Sequence, residues 1–203
     1  TMDAVLLFSG QGAQKVGMGK DLYDQYPVAK ALIEQADKAL GESLSAVMFE
    51  GPGEELTRTC NCQPALYVHG LACLAVLKEL VPSLNPVAAA GLSLGEFTAH
   101  AAAGTYSFEE GLRLVQKRGA FMEEACNATK GTMAAMIGGT DENVIKLAQE
   151  CDVDVANFNC PGQTVVSGTE EGVAKAVAGA KAAGCKIAKK LNVAGAYHSR
   201  LMH

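Results

Sequence analysis

The stretch Val87-Ala88-Ala89-Ala90-Gly91-Leu92-Ser93-Leu94-Gly95-Glu96-Phe97 decides the fold. Its apolar start, Val87 to Ala90, reads as a strand, and Glu96 to Ala103 reads as a helix. Between them Gly91 to Gly95 fits the pattern G-x-S-x-G. Strand, pentapeptide and helix in succession are the context of a nucleophile elbow. The turn is tight, so glycine is required where a side chain would collide with neighbouring backbone. Ser93 is therefore expected at the head of a helix with its hydroxyl exposed, as a candidate nucleophile. The alternative is a Gly/Ser loop that merely joins strand to helix.

Working outward, the 203 residues suffice for one substantial core or two small ones. A content of 49% hydrophobic and 19% charged residues fits a soluble globular enzyme. The net charge of −5, without a basic block or an aromatic-basic stripe, argues against nucleic-acid binding. Among seven cysteines only Cys60 and Cys62 are close, and C-x-x-C is absent, which argues against a zinc site or a disulfide framework. Free cysteines suit a reducing compartment. No apolar stretch is expected to be long enough to span a bilayer, so no membrane is implied. Thr1-Met2-Asp3 lacks the basic region and apolar core of a signal peptide.

Ala4 to Phe8 reads as a buried strand running into the loop Ser9-Gly10-Gln11-Gly12-Ala13-Gln14. Pro27 opens a helix that Gly41 ends. Gln63-Pro64 is expected to open a central helix, apolar round most of its circumference, that runs to Leu80 before Pro82. Ser107-Phe108-Glu109-Glu110 is a capping box, starting a helix to about Cys126. After Gly131 the texture changes. Strands at 132–137, 153–158, 164–167 and 186–193 alternate with helices at 141–149 and 170–183, with Asn159 to Gln163 as a turn. This β-α-β-β-α-β order is that of a ferredoxin-like fold. The expected class is α/β, an α/β-hydrolase-like large domain with an inserted ferredoxin-like small domain. Residues 1–129 form the core with the elbow, 130–194 the insertion, and 195–203 the return to the large domain, whose remainder is absent.

A serine hydroxyl needs a base beside it. Of four histidines, His69 lies in the apolar helix, His100 on the helix leaving the elbow, and His203 at the end of the chain. His198, in Gly195-Ala196-Tyr197-His198-Ser199, stands where the chain returns to the large domain and is the best candidate base. Acyl transfer also needs donors aimed at the developing oxyanion. The backbone N–H of Leu94, just past the nucleophile, is one candidate. The N–H of Gln11 in Gly10-Gln11-Gly12 is the other; that loop could instead cradle a phosphate, although it lacks the third glycine of a dinucleotide site. Arg113, Lys117 and Arg118 share a helix. An arginine there is either a solvated residue or a bidentate partner for a substrate carboxylate, and spacing does not choose between them.

Six ordered segments carry a resemblance. They are Phe8 to Gln14, Gln63-Pro64-Ala65-Leu66, Gly91 to Phe97, Arg118-Gly119-Ala120-Phe121-Met122, Asn157 to Gln163, and Tyr197-His198-Ser199. Together the series resembles the malonyl-CoA:acyl carrier protein transacylase family, in its discrete type II form. The resemblance implies ping-pong transfer of malonyl from coenzyme A to the phosphopantetheine thiol of acyl carrier protein through a malonyl-serine ester. Ser93 and His198 would be catalytic, the N–H groups of Gln11 and Leu94 would form the oxyanion hole, and Arg118 would clamp the malonyl carboxylate. Gln11, Gln63 and Asn159 would line the substrate site. It implies no bound cofactor, with malonyl-CoA as substrate, acyl carrier protein as partner, and a cytoplasmic or organellar-matrix location.

The sequence departs from the family pattern in two ways. Leu92 stands where relatives usually carry histidine, and the chain stops five residues after His198. Weak activity and aggregation are expected of it alone. Tyr197 beside the base would crowd the α-carbon of a branched acyl group. Lys186, Lys189 and Lys190 are either a docking patch for an acidic carrier or edge lysines that discourage aggregation. The rival functions are a serine esterase or thioesterase and a non-catalytic carrier-protein-binding fragment.

Overall fold

The computed structural model describes residues 1–203, which divide into two compact units, Thr1–Phe121 and Met122–His203. In the first, β1 (Met2–Phe8) is followed by α1 (Lys20–Gln25), α2 (Pro27–Leu40), α3 (Leu44–Glu50), α4 (Gly53–Thr57) and α5 (Thr59–Leu80). Then come β2 (Leu84–Gly91), α6 (Leu94–Ala102) and α7 (Phe108–Ala128), within which the division falls. β1 and β2 pair in parallel with Phe8 opposite Gly91, so the loops leaving their C-terminal ends start side by side. That end of a parallel sheet is where α/β proteins place ligands.

The core of this unit gathers Ile33, Met48, Leu56, Tyr67, Leu94 and Leu112, each nearly or fully buried. Tyr67 remains satisfied there because its hydroxyl donates to the Phe108 carbonyl at 3.0 Å. α2 begins with Pro27 at its first turn and ends at Gly41 with φ 72°. At the start of α7 the capping box closes both ways, Ser107 N–H to Glu110 Oε2 at 2.8 Å and Glu110 N–H to Ser107 Oγ at 3.2 Å.

Two expectations need correction at α5. The helix starts at Thr59, a turn before Gln63, and Pro64 sits inside it. The Arg58 carbonyl accepts from the N–H groups of Asn61 and Cys62 at 3.0 and 2.7 Å, which builds the first turn ahead of the proline. In addition, α5 is long and apolar enough by length and composition to cross a membrane, contrary to the expectation that no such stretch exists; 56% of its apolar window is buried in the protein. Residues 62–68 are buried on all sides, which accounts for the apolar sequence there, while Leu77 and Leu80 near its end are exposed.

The second unit contains β3 (Gly131–Ile137), α8 (Asp141–Glu150), β4 (Asp154–Cys160), β5 (Gln163–Thr169), α9 (Glu170–Gly179) and β6 (Ile187–Lys190), then a 3-10 turn at Arg200–Met202. The strands form one antiparallel sheet in the order β4-β5-β3-β6. Thr140 and Thr169 cap α8 and α9, their side chains accepting from the N–H groups of Asn143 and Gly172. Apolar residues of β3, β5, α8 and α9 make the core, among them Ala134, Met136, Val144, Val166, Val173 and Ala176. The hairpin between β4 and β5 is shorter than expected. Only Pro161 and Gly162 lie between the strands, with Gly162 at φ 78°, so Asn159 belongs to β4 and not to a loop. α9 and β6 are likewise shorter than their apolar patterns suggest. The chain turns at Lys181–Gly184, and the last bond flanking β6 is Leu191 N–H to the Met133 carbonyl at 2.9 Å.

Candidate active site

Only Leu92 and Ser93 separate the end of β2 from the start of α6. Ser93 has φ 48° and ψ −102°, a conformation that costs a non-glycine residue free energy and persists only where the surroundings enforce it. The enforcement is visible in the backbone. Leu92 N–H donates to the Phe8 carbonyl at 3.1 Å, and Gly95 N–H donates to the Leu92 carbonyl at 2.8 Å. A Cβ on Gly91 would overlap the Gly95 carbonyl, and a Cβ on Gly95 would overlap the Phe8 carbonyl. Both positions therefore need glycine, as the sharp turn predicts. The Leu94 side chain is fully buried in the core and fixes the head of α6. Its N–H is at the first position of the helix, where backbone donors have no intrahelical acceptor. Gln11 lies in the neighbouring loop after β1, half-buried.

A file of polar side chains leads from the serine into the protein. Arg118 on α7 donates from Nη2 to Ser93 Oγ at 2.9 Å and from Nη1 to Gln63 Oε1 at 2.6 Å. Gln63 Nε2 donates to Thr59 Oγ1 at 2.7 Å, and Thr59 Oγ1 lies 3.4 Å from Gln11 Oε1. Thus Ser93, Arg118, Gln63 and Gln11, named from the sequence, share one hydrogen-bonded chain. Arg118 is half-buried, while Arg113 and Lys117 on the same helix are exposed. Its guanidinium carbon lies 5.3 Å from the centre of the Phe97 ring, a cation–π arrangement. Burial pulls the arginine pKa down and the Glu96 carboxylate opposes this; a guanidinium stays charged regardless. Thr59 was not found by sequence reasoning. Its signal was the i, i+4 spacing to Gln63, legible only once α5 is known to start at Thr59.

The other named residues lie in the second unit. His198 is exposed and has φ 56°, the second non-glycine functional candidate with positive φ. It sits in a laced turn where Ser199 Oγ donates to the Ala196 carbonyl at 2.6 Å and accepts from Leu201 N–H at 3.2 Å. The Arg200 guanidinium donates to Asp154 and Asp152 and anchors that turn to β4. Tyr197 is buried with Met133 and Val165. Asn159 is exposed near the end of β4, and Lys189 and Lys190 are exposed on the edge strand β6. Of the remaining histidines, His100 Nδ1 lies 3.2 Å from Thr105 Oγ1, and His69 is half-buried on α5, where burial lowers its pKa.

Residues 5–203 match the model of the acyl transferase domain family. The chain is 47% identical over 201 residues to the malonyl CoA-acyl carrier protein transacylase of Bacillus subtilis, covering 97% of this chain and 63% of that protein. It is 40% identical to the enzyme of the same name from Haemophilus influenzae, covering 97% and 64%. The chain thus spans a little under two thirds of these relatives. Among solved structures, an acyl carrier protein S-malonyltransferase from Vibrio cholerae superposes with a TM-score of 0.91 at 39% identity, over 98% of this chain and 66% of that one. A malonyl-transacylase solved in complex with its type II PKS acyl-carrier protein gives 0.93 at 37% identity, over 100% and 66%. A strained serine between two obligatory glycines, with an arginine on its hydroxyl, accords with these matches, and the chain belongs to the acyl transferase domain family.

Proposed function

We propose that this chain carries the serine half-site and the candidate base of a malonyl-CoA:acyl carrier protein transacylase. The observation that carries the reading is the Arg118 guanidinium at 2.9 Å from Ser93 Oγ. A hydrolase of neutral esters has no use for a half-buried cation at its nucleophile. A transferase of a dicarboxylic half-thioester does, because the cation holds the free carboxylate and so orients the thioester carbonyl. His198 takes the hydroxyl proton as Ser93 Oγ attacks that carbonyl, and the N–H groups of Gln11 and Leu94 receive the oxyanion. The C–S bond breaks, the coenzyme A sulfur leaves with the proton from His198, and a malonyl-serine ester remains. The carrier's phosphopantetheine thiol then gives its proton to His198 and attacks the ester. Its product is the malonyl thioester, and the proton returns to Ser93. Gln63 acts behind Arg118 as its hydrogen-bond partner, and Asn159 is read as a further substrate contact. No cofactor enters this sequence; coenzyme A is part of the substrate.

The same reading extends to architecture and setting. Residues 1–129 are read as an α/β-hydrolase-like core, 130–194 as a ferredoxin-like insertion and 195–203 as the return. The support is the elbow after a parallel strand and the antiparallel order β4-β5-β3-β6 with its two helices. The setting is cytoplasmic. Incubating the chain with malonyl-CoA, then measuring intact mass and mapping the adduct, tests the function. A malonyl ester on Ser93, absent in Ser93→Ala and passed on to carrier protein, is expected. Release of free malonate as the main product would make it a thioesterase. No adduct at Ser93 in a folded sample that still binds carrier protein would make it a binding fragment.

A further inference from the structure

We propose that Thr59 is a positioning residue of this site, one that holds the far end of the Gln63 amide so that its oxygen stays on Arg118. The proposal rests on the transacylase reading for its kinetic consequence, but its geometry stands apart from it. A guanidinium has donors only, so at 2.6 Å from Arg118 Nη1 the Gln63 amide must present its oxygen. The Gln63 NH2 group is thereby committed to the opposite side. Gln63 is fully buried, so that group needs acceptors within the protein. Thr59 Oγ1 supplies one at 2.7 Å and is itself only 4% exposed. With its lone pair engaged, the single hydroxyl hydrogen of Thr59 turns to Gln11 Oε1 at 3.4 Å.

The chain of donors therefore runs one way, from Arg118 through Gln63 and Thr59 to Gln11. Turning the amide over would set two donors against each other at Arg118. A hydroxyl accepts from one amide and donates to the next, so the threonine fits the orientation that Arg118 imposes on Gln63. Its place is set by packing. Thr59 lies one turn before Gln63 on the same face of α5. At Gly119, next to Arg118, an added Cβ would come within 2.6 Å of the Thr59 carbonyl oxygen. The backbones of α5 and α7 thus approach each other where the arginine and the threonine sit.

The test compares crystal structures of the unmodified chain, Thr59→Val and Thr59→Ser, together with competition between malonyl-CoA and acetyl-CoA. In Thr59→Val the guanidinium is expected to leave Ser93 Oγ, and the malonyl-to-acetyl ratio in transfer to fall on the order of 10-fold, as for one buried donor left unsatisfied. Thr59→Ser should restore both. A carboxylate presents oxygen whichever way it turns, so Thr59→Val made in a Gln63→Glu background should leave Arg118 in place. If Thr59→Val does not fold, Thr59→Ala carries the same comparison. An undisturbed Arg118–Ser93 contact in the hydroxyl-less variant overturns the proposal. Displacement of Arg118 in a chain that transfers no malonyl would sustain it while defeating the transacylase reading.

Discussion

The two sheets of this molecule are built under different rules. In the second unit β3 and β5 are almost wholly buried, paired in unbroken register and joined to helices capped by threonine. In the first, β1 and β2 form a two-stranded parallel pair with an irregularity after Ala4, and Val5, Leu7 and Val87 are 58%, 79% and 60% exposed. That pair ends in a serine at φ 48° and two glycines whose replacement would drive atoms together. Regular, buried pairing stabilises the fold. The strain and the polar side chains collect at the less regular sheet, where the chemistry is read.

The largest expected effect tests that difference directly. Gly95→Ala should destabilise by more than ~3 kcal/mol, because backbone atoms must move, whereas Gly162→Ala in the β4–β5 hairpin should cost only the ~1–2 kcal/mol of a left-handed residue. Denaturant unfolding measures both, and equal losses would erase the contrast. Next, Arg118→Ala should cost malonyl transfer ~2–4 kcal/mol in kcat/KM and relax selection against acetyl. An unaltered malonyl-to-acetyl ratio would remove the arginine from the site. The smallest effect sharpens the other side. Thr140→Ala or Thr169→Ala should lower stability by ~1 kcal/mol while leaving Ser93 labelling by a fluorophosphonate at its original rate.

Much of this was legible in the sequence because the signals are local. G-x-S-x-G states its own turn, Ser107 and Glu110 state their own cap, and Pro27 and Gly41 bracket α2. What was lost depended on context. Pro64 reads as a helix opener, yet the Arg58 carbonyl builds a turn before it, and that turn carries Thr59. Asn159 reads as a turn residue beside Pro161 and Gly162, yet pairing of Phe158 and Cys160 with β5 carries β4 past it, with a register irregularity at Asn159. Arg118 could not be separated from Arg113 and Lys117 by spacing, since only the tertiary position of Phe97 and Ser93 tells them apart.

The placement of Arg118 against the face of Phe97 has one more consequence. A freely hydrated cation must shed water before it can grip an anion, and that loss weakens every encounter. Here much of the dehydration has already happened when the chain folds. On the proposed reading an incoming carboxylate would meet a charge already covered on one side and already oriented, so less of their attraction would be spent on removing water.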